Sequence, residues 1–300
     1  MPFEFKIGES LADGIRRVLQ SEIKSAIGSL TPPLKNAETD IHDARKRFKK
    51  IRALLVLAQD AIGKKAYRRE NRFYRDCGRA LAANREQAVA LRRLDQILQG
   101  NPSFVTPAVQ GFRDQLAMPT EAILTTDEEL RTWVSALEQA HERSGFFKIE
   151  APNFDVLAPA LQQVYHAGQV WQSRALAMPL PENLHEWRKQ VKTLWYQLRL
   201  IQPIYPQMIT PFNLQLEALA EALGDDHDYA DLLIRLDPLS DTDEGALALR
   251  REIEALQVAL RQHAFALAAP LYAERPKPFA ARHHAYWGVM TLPPTFALGA

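Results

Sequence analysis

IHDARKRFKKIRALLVL at residues 41–57 and LHEWRKQVKTLWYQLRL at residues 184–200 carry one pattern twice. Shifted by 143 positions, His42 falls on His185, Arg45 on Arg188, Lys46 on Lys189 and Lys49 on Lys192. Offsets of 0, 3, 4 and 7 share about 100° of arc on a helix, so each set forms one basic face. The opposite arc is apolar in both. Ile41, Ala44, Phe48, Ile51, Leu55 and Ala58 match Leu184, Trp187, Val191, Leu194, Leu198 and Ile201. One side is built for a core and the other for an anion.

Working outward, helical periodicity dominates. Leu11, Ile15, Val18, Leu19, Glu22 and Ile23 outline an amphipathic segment at 9–30. The spacing predicts further helices near 38–60, 65–99, 105–118, 126–144, 156–177, 181–201, 211–236 and 244–270. Prolines, including Pro211, Pro238 and Pro270, are expected between helices. Thr126-Asp127 and Ser240-Asp241 read as helix starts. Phe3-Glu4-Phe5-Lys6-Ile7 alternates but is short and isolated, so the class is all-α.

The repeat extends beyond the basic helix. Residues 11–30 parallel 157–176, and ALAANREQAVALRRL at 80–94 parallels ALGDDHDYADLLIRL at 222–236. Offsets of 146, 143 and 142 keep the three blocks in order, the mark of an internal duplication with about four helices per half.

Bulk properties set the frame. Three hundred residues, 47% of them apolar, can bury a large core. No apolar run is long enough for a membrane span, and MPFEFKIGES does not read as a secretory leader. Cys77 is the single cysteine, which rules out an internal disulfide and a cysteine-built zinc site and fits a cytoplasmic location. The formal charge of +1 hides an asymmetry. His42 to Arg93 holds 16 Lys/Arg against 5 Asp/Glu, a net of +11, leaving −10 for the rest. A local anion site on a nearly neutral body follows.

The duplicated H-x-x-R-K-x-x-K helix start resembles the CHAD domain (conserved histidine α-helical domain). So do the opening ESLADGIRRVL and the block LGDDHDYADLL, which is similar to the family's LG-x-x-x-D-x-x-x-L. The resemblance runs from about residue 8 to about residue 290. It implies one CHAD domain over 1–300, with a first helical repeat at 8–120, a connecting helix and linker at 121–152, a second repeat at 153–290 and a tail at 291–300. It also implies two roughly four-helix bundles around a central basic pore or groove. Binding of inorganic polyphosphate is the implied function, with association with polyphosphate granules, and their proteins as further partners. Some CHAD proteins carry a triphosphate-tunnel enzyme domain. This chain shows neither its E-x-E-x-K strand nor room for its sheet, so a stand-alone binding module without catalysis or cofactor is expected.

Polyphosphate offers neither bases nor sugars, so charge-assisted N–H···O bonds along a lined path must recognise it. Arg supplies a planar fork and Lys a mobile point charge. The candidate path comprises His42, Arg45, Lys46, Lys49 and Arg52, then Arg68, Arg72, Arg75 and Arg79 on a stripe about 60° wide. His185, Arg188, Lys189, Lys192, Tyr196 and Arg199 supply the second half. Glu70 and Asp76 are expected on other sides of the Arg helix. His42 and His185 read as phosphate donors near helix starts, where free N–H groups also favour anions. The second half is the weaker: Trp195 stands opposite Arg52, Thr193 opposite Lys50, and Leu214, Glu217 and Glu221 opposite Arg72, Arg75 and Arg79.

Two other readings compete. His42-Asp43 and His227-Asp228, with Asp225, Asp226 and Asp231, suggest the metal ligands of HD-type phosphohydrolases. The Arg and Lys beside His42 and His185 oppose a cation, and Asp43 projects about 100° from His42. The blander reading is a helix start rich in acids, bent at Gly224. Nucleic acid is the other alternative, through aromatics Phe48, Tyr67, Phe73 and Tyr74 set among the basic residues. No zinc-finger, RNA-recognition or clear helix-turn-helix pattern supports it.

Overall fold

In a computed structural model, residues 2–81, 85–118, 126–240 and 243–290 are described. All regular structure among them is helical. The helices are α1 (Leu11–Leu30), α2 (Ala37–Leu57), α3 (Gln59–Ile62), α4 (Lys64–Ala80), α5 (Arg85–Gly100), α6 (Pro107–Ala117), α7 (Asp127–Gly145), α8 (Ala158–Ala177), α9 (Pro181–Ile201), α10 (Pro206–Ser240), α11 (Glu244–Leu271) and α12 (Pro276–Met290). None is long and apolar enough to cross a membrane.

Side-chain caps fix several starts. Ser10 accepts from the Asp13 N–H, Asn36 from Thr39 and Asp243 from Ala246. Thr126 and Glu129 form a reciprocal capping box, as the Thr126-Asp127 signal predicts. Asp241 and the tail at 291–300 lie outside the described residues.

Two expectations need correction. The segment at 65–99 is two helices, α4 and α5, rather than one. Pro211, Pro238 and Pro270 lie inside helices rather than between them. The latter two sit within two residues of a C-terminus, where a proline's missing N–H and ring clash disturb only the final turn.

One cluster of buried side chains runs through both halves. It includes Ile15 and Leu19 of α1, Phe48 and Ile51 of α2, Leu137 of α7, Tyr165 of α8, Trp187 and Leu194 of α9, and Phe279 of α12. α2 packs on α1, α4 and α9, so the two basic-motif helices lie against each other. Gln197 of α9 donates to the Ala53 carbonyl of α2 at 3.4 Å. α7, from the connecting stretch, packs on α1. A second core joins Leu94 and Ile97 of α5 and Val109 of α6 to Leu232 and Leu236 of α10 and Leu249 and Ile253 of α11.

The N-terminal segment is a buried strap. Phe3 and Phe5 are 4% and 2% exposed. The Phe5 N–H donates to the Leu200 carbonyl at 2.8 Å, and its ring meets Trp287 edge-on. Phe3 meets Tyr196 edge-on, and Arg17 donates to the Glu4 carbonyl at 2.9 Å. Phe5 lies so close to α1 that a Cβ on Gly14 would stand 3.1 Å from its ring.

Gly168 decides how α8 meets the turn after α11. A Cβ there would stand 2.5 Å from the Tyr272 hydroxyl and 2.7 Å from its ring. Gly28 of α1, by contrast, faces open space. Gly→Ala in a helix interior ordinarily gains about 1 kcal/mol. Gly28→Ala should do so, while Gly168→Ala should lose about 1–3 kcal/mol through overpacking. Chemical denaturation of both variants checks this; equal gains would contradict the packing described.

Candidate anion-binding site

α2 presents the first basic face. Lys46 and Lys49 are exposed, His42 and Arg45 half-buried, while Ala44, Phe48 and Ile51 on the other side are at most 1% exposed. The face continues onto α4. Arg52 is half-buried and donates from Nε to Asn71 Oδ1 at 2.9 Å. Burial, with the Arg75 and Arg79 guanidiniums nearby, lowers its pKa from the usual arginine value. Cations of α2 and α4 thus crowd together, which costs energy unless an anion is present. Arg68, Arg72 and Arg79 are exposed.

The acids of α4 differ from expectation in one respect. Glu70 is buried and takes Arg69 at 2.7 Å and Arg143 at 3.4 Å, away from the stripe. Asp76, however, accepts from Arg75 Nε at 2.9 Å. That bond, with Arg79 and Arg72 near, lowers the Asp76 carboxyl pKa. One stripe member is therefore partly neutralised.

α9 presents the second face. Lys189 is exposed and held by Glu186 at 2.6 Å. The Arg188 guanidinium lies across α10 at Gly224, where a Cβ would stand 2.9 Å from it. α10 runs on through Gly224, so close approach of Arg188, not a helix start, accounts for this glycine. Trp195, read as a lost cation, in fact carries two: Lys192 lies 5.2 Å and Arg199 5.3 Å from its ring centroid. Tyr196 is only 2% exposed under Phe3, so its hydroxyl is not a surface donor. Burial pushes its pKa up to about 12 against the opposing pull of Arg199 and Arg188.

The expected help from helix starts is absent. His42 is the sixth residue of α2 and His185 the fifth of α9. Only the first four N–H groups lack intrahelical partners, and α2 opens with Glu38 and Asp40. His185 instead stands against a residue the sequence did not single out as a phosphate donor. Its ring centroid is 4.9 Å from that of His227 on α10. Its Nδ1 is buried without a hydrogen bond. Burial, then His227, Lys189 and Arg188, lower its pKa below the usual histidine value.

Arg199 of α9 and Lys46 of α2 both bear on Lys50, which the sequence reading did not place on the path. Lys50 is 7% exposed, its ammonium 5.0 Å from the Phe3 ring centroid and 3.7 Å from buried Glu22. Glu22 also accepts from Arg47 at 3.1 Å. Burial lowers the Lys50 pKa to about 8; Glu22 opposes this, while Arg47, Arg199 and Lys46 add to it. Arg199 of α9 and Lys46 of α2 thus act on one ammonium. A glutamate at an inward position of α1 was the signal available in the sequence.

The acidic block around His227 is taken up by arginines. Arg93 of α5 pairs with Asp225 and with Asp228, the latter at 3.2 Å, and Arg261 donates to buried Asp226 at 2.7 Å. Among the described residues no three His, Cys, Asp or Glu side chains are gathered to hold a metal ion. Of the aromatics weighed for base stacking, Phe48 and Tyr74 are 1% exposed, and Phe73 packs edge-on against Tyr74.

Fold and site together define an all-helical protein in which two helices bearing the basic motif pack on each other. The family model for the CHAD domain matches residues 31–237, more than half of the chain, and the chain belongs to that family. The opening ESLADGIRRVL lies outside the matched span. No curated protein matches the chain significantly.

Proposed function

We propose that this chain binds inorganic polyphosphate without cleaving it, along a basic path formed by α2, α4 and α9, and targets or scaffolds proteins at polyphosphate granules in the cytoplasm. One observation carries the reading: cations of three helices lie within reach of one another, Arg75 and Arg79 of α4 acting on Arg52 of α2, and Arg199 of α9 acting, with Lys46, on Lys50 of α2. Family membership supports it. We read the two motif helices as halves of a duplicated unit flanking a central groove. In support, α1 and α8 both have 20 residues and α2 and α9 both have 21, and α1 packs on α2 as α8 does on α9.

The chemistry follows from the side chains. Exposed Lys46, Lys49, Arg68, Arg72 and Arg79 meet the phosphoryl oxygens, while half-buried Arg45, Arg52, Arg188 and Arg199 present forks held by their surroundings. Long-chain polyphosphate should bind saturably at physiological salt and resist single-stranded DNA at equal phosphate concentration. Equal displacement by DNA would overturn the reading in favour of nucleic acid. Salt alone decides nothing, since both ligands release counterions.

Protonation gives a second check. With its pKa below the usual value, His185 is largely neutral near pH 7. A bound polyanion favours the imidazolium, so binding takes up a proton and tightens as pH falls from 8 to 6. The gain is at most about tenfold per pH unit for each proton taken up. The unliganded fold shows the opposite sign: this group lowers its stability as pH drops below the ordinary histidine pKa. Calorimetry in two buffers measures the uptake. An uptake unchanged in His185→Asn would remove this histidine from the site.

A further inference from the structure

Gly224 is buried in the interior of α10, where alanine would make a more stable helix. Its φ is not positive, so backbone conformation does not call for a glycine. What the missing side chain permits is a contact. The three atoms nearest to a Cβ at this position all belong to Arg188: Nη2 at 2.9 Å, Nε at 3.1 Å and Cζ at 3.4 Å. The guanidinium of a motif arginine therefore rests against bare backbone. Gly78 of α4 and Gly111 of α6, by contrast, face open space.

The contact is one of a registered pair. His185 and Arg188 are three residues apart on α9, and Gly224 and His227 are three apart on α10. The rings of His185 and His227 meet with centroids 4.9 Å apart, and Arg188 meets Gly224. Residues at i and i+3 share a face, so one turn of α10 backs the start of the second basic motif. That turn is held from α5 and α11. Arg93 pairs with Asp225 and Asp228, Arg261 donates to Asp226 Oδ1 at 2.7 Å, and Gln257 donates to the Asp226 carbonyl at 3.0 Å. The backbone has little room to retreat, whereas a guanidinium ends a flexible side chain. A Cβ at position 224 should therefore shift Arg188 and leave α10 in place.

We propose, on the reading that polyphosphate occupies the basic path, that Gly224 is a positioning residue of that path: its bare backbone sets where the Arg188 guanidinium meets phosphoryl oxygens, and α10 is less stable for it. Gly224→Ala, Arg188→Ala and the double variant are titrated with long-chain polyphosphate by calorimetry and melted under circular dichroism. Gly224→Ala is expected to melt no lower than wild type, yet to bind about fivefold more weakly as one charge-assisted fork is displaced. In the Arg188→Ala background the same substitution should leave affinity unchanged, because the group it displaces is gone. A glycine needed only for packing would give the reverse, a lower melting temperature and an affinity loss indifferent to Arg188. That pattern, or wild-type affinity in Gly224→Ala, overturns the positioning role and leaves the polyphosphate reading standing. No saturable binding by the wild type overturns both.

Discussion

Replacing Arg45, Lys46, Lys49, Arg72 and Arg75 together by alanine is expected to lower affinity for long-chain polyphosphate by about 100- to 1,000-fold. Each contact at partly exposed positions contributes roughly 0.5–0.8 kcal/mol at physiological salt, and five give about 2.5–4 kcal/mol. The fold should survive. Lys46, Lys49 and Arg72 are exposed, and the apolar arc beneath them is untouched. Removing like charges from α2 and α4 should leave thermal stability equal or slightly raised, since Arg52 already feels Arg75 and Arg79. Filter binding with labelled polyphosphate, beside circular dichroism, reads both effects. A folded variant that binds as tightly as wild type would sink the proposed path.

Glu22→Ala carries the largest expected stability effect. Glu22 is 2% exposed and holds two cations, Arg47 at 3.1 Å and Lys50 at 3.7 Å. Removing one partner of a buried ion pair leaves an uncompensated charge, at a cost of about 3–5 kcal/mol. Lys50 bears most of it, being the more buried cation. The deficit should shrink with rising pH. The folded-state pKa of Lys50 is already about 8, below the ordinary lysine value. Stability from this group therefore rises as pH climbs through that value toward the unfolded one. Without Glu22 the folded pKa drops further, so the variant starts to regain stability at lower pH. Urea denaturation at pH 6.5 and pH 8.5 tests the sign. Glu22→Leu with Lys50→Met should recover much of the loss, because apolar side chains of similar volume replace a buried pair well. A deficit below about 1 kcal/mol at both pH values would show that Glu22 does not hold Lys50 in the way described.

The motif helices were legible because each carries two clean arcs. Trp187, Val191, Leu194 and Leu198 of α9 are fully buried, as their spacing requires. What the periodicity could not show is which face meets which. Lys49 and Lys50 are neighbours of one type, yet one is exposed and the other 7% exposed. Phe3, distant in sequence, makes the difference. The same limit hid the partners of α5 and α6, which bury their stripes against α10 and α11. An amphipathic stripe names a side to be covered, not its cover. His227 and Gly224 were read in their own helix, as candidate metal ligand and bend, and their packing on His185 and Arg188 comes only from the meeting of α9 with α10.

The buried N-terminal strap sets a timetable for synthesis. Phe5 is synthesised well ahead of its carbonyl partner at Leu200, which follows 195 residues later. At about 5–20 residues per second, two phenylalanines wait roughly 10–40 s without their native cover. Trp287, which meets the Phe5 ring, comes later still. The strap is thus made long before the partners that seat it.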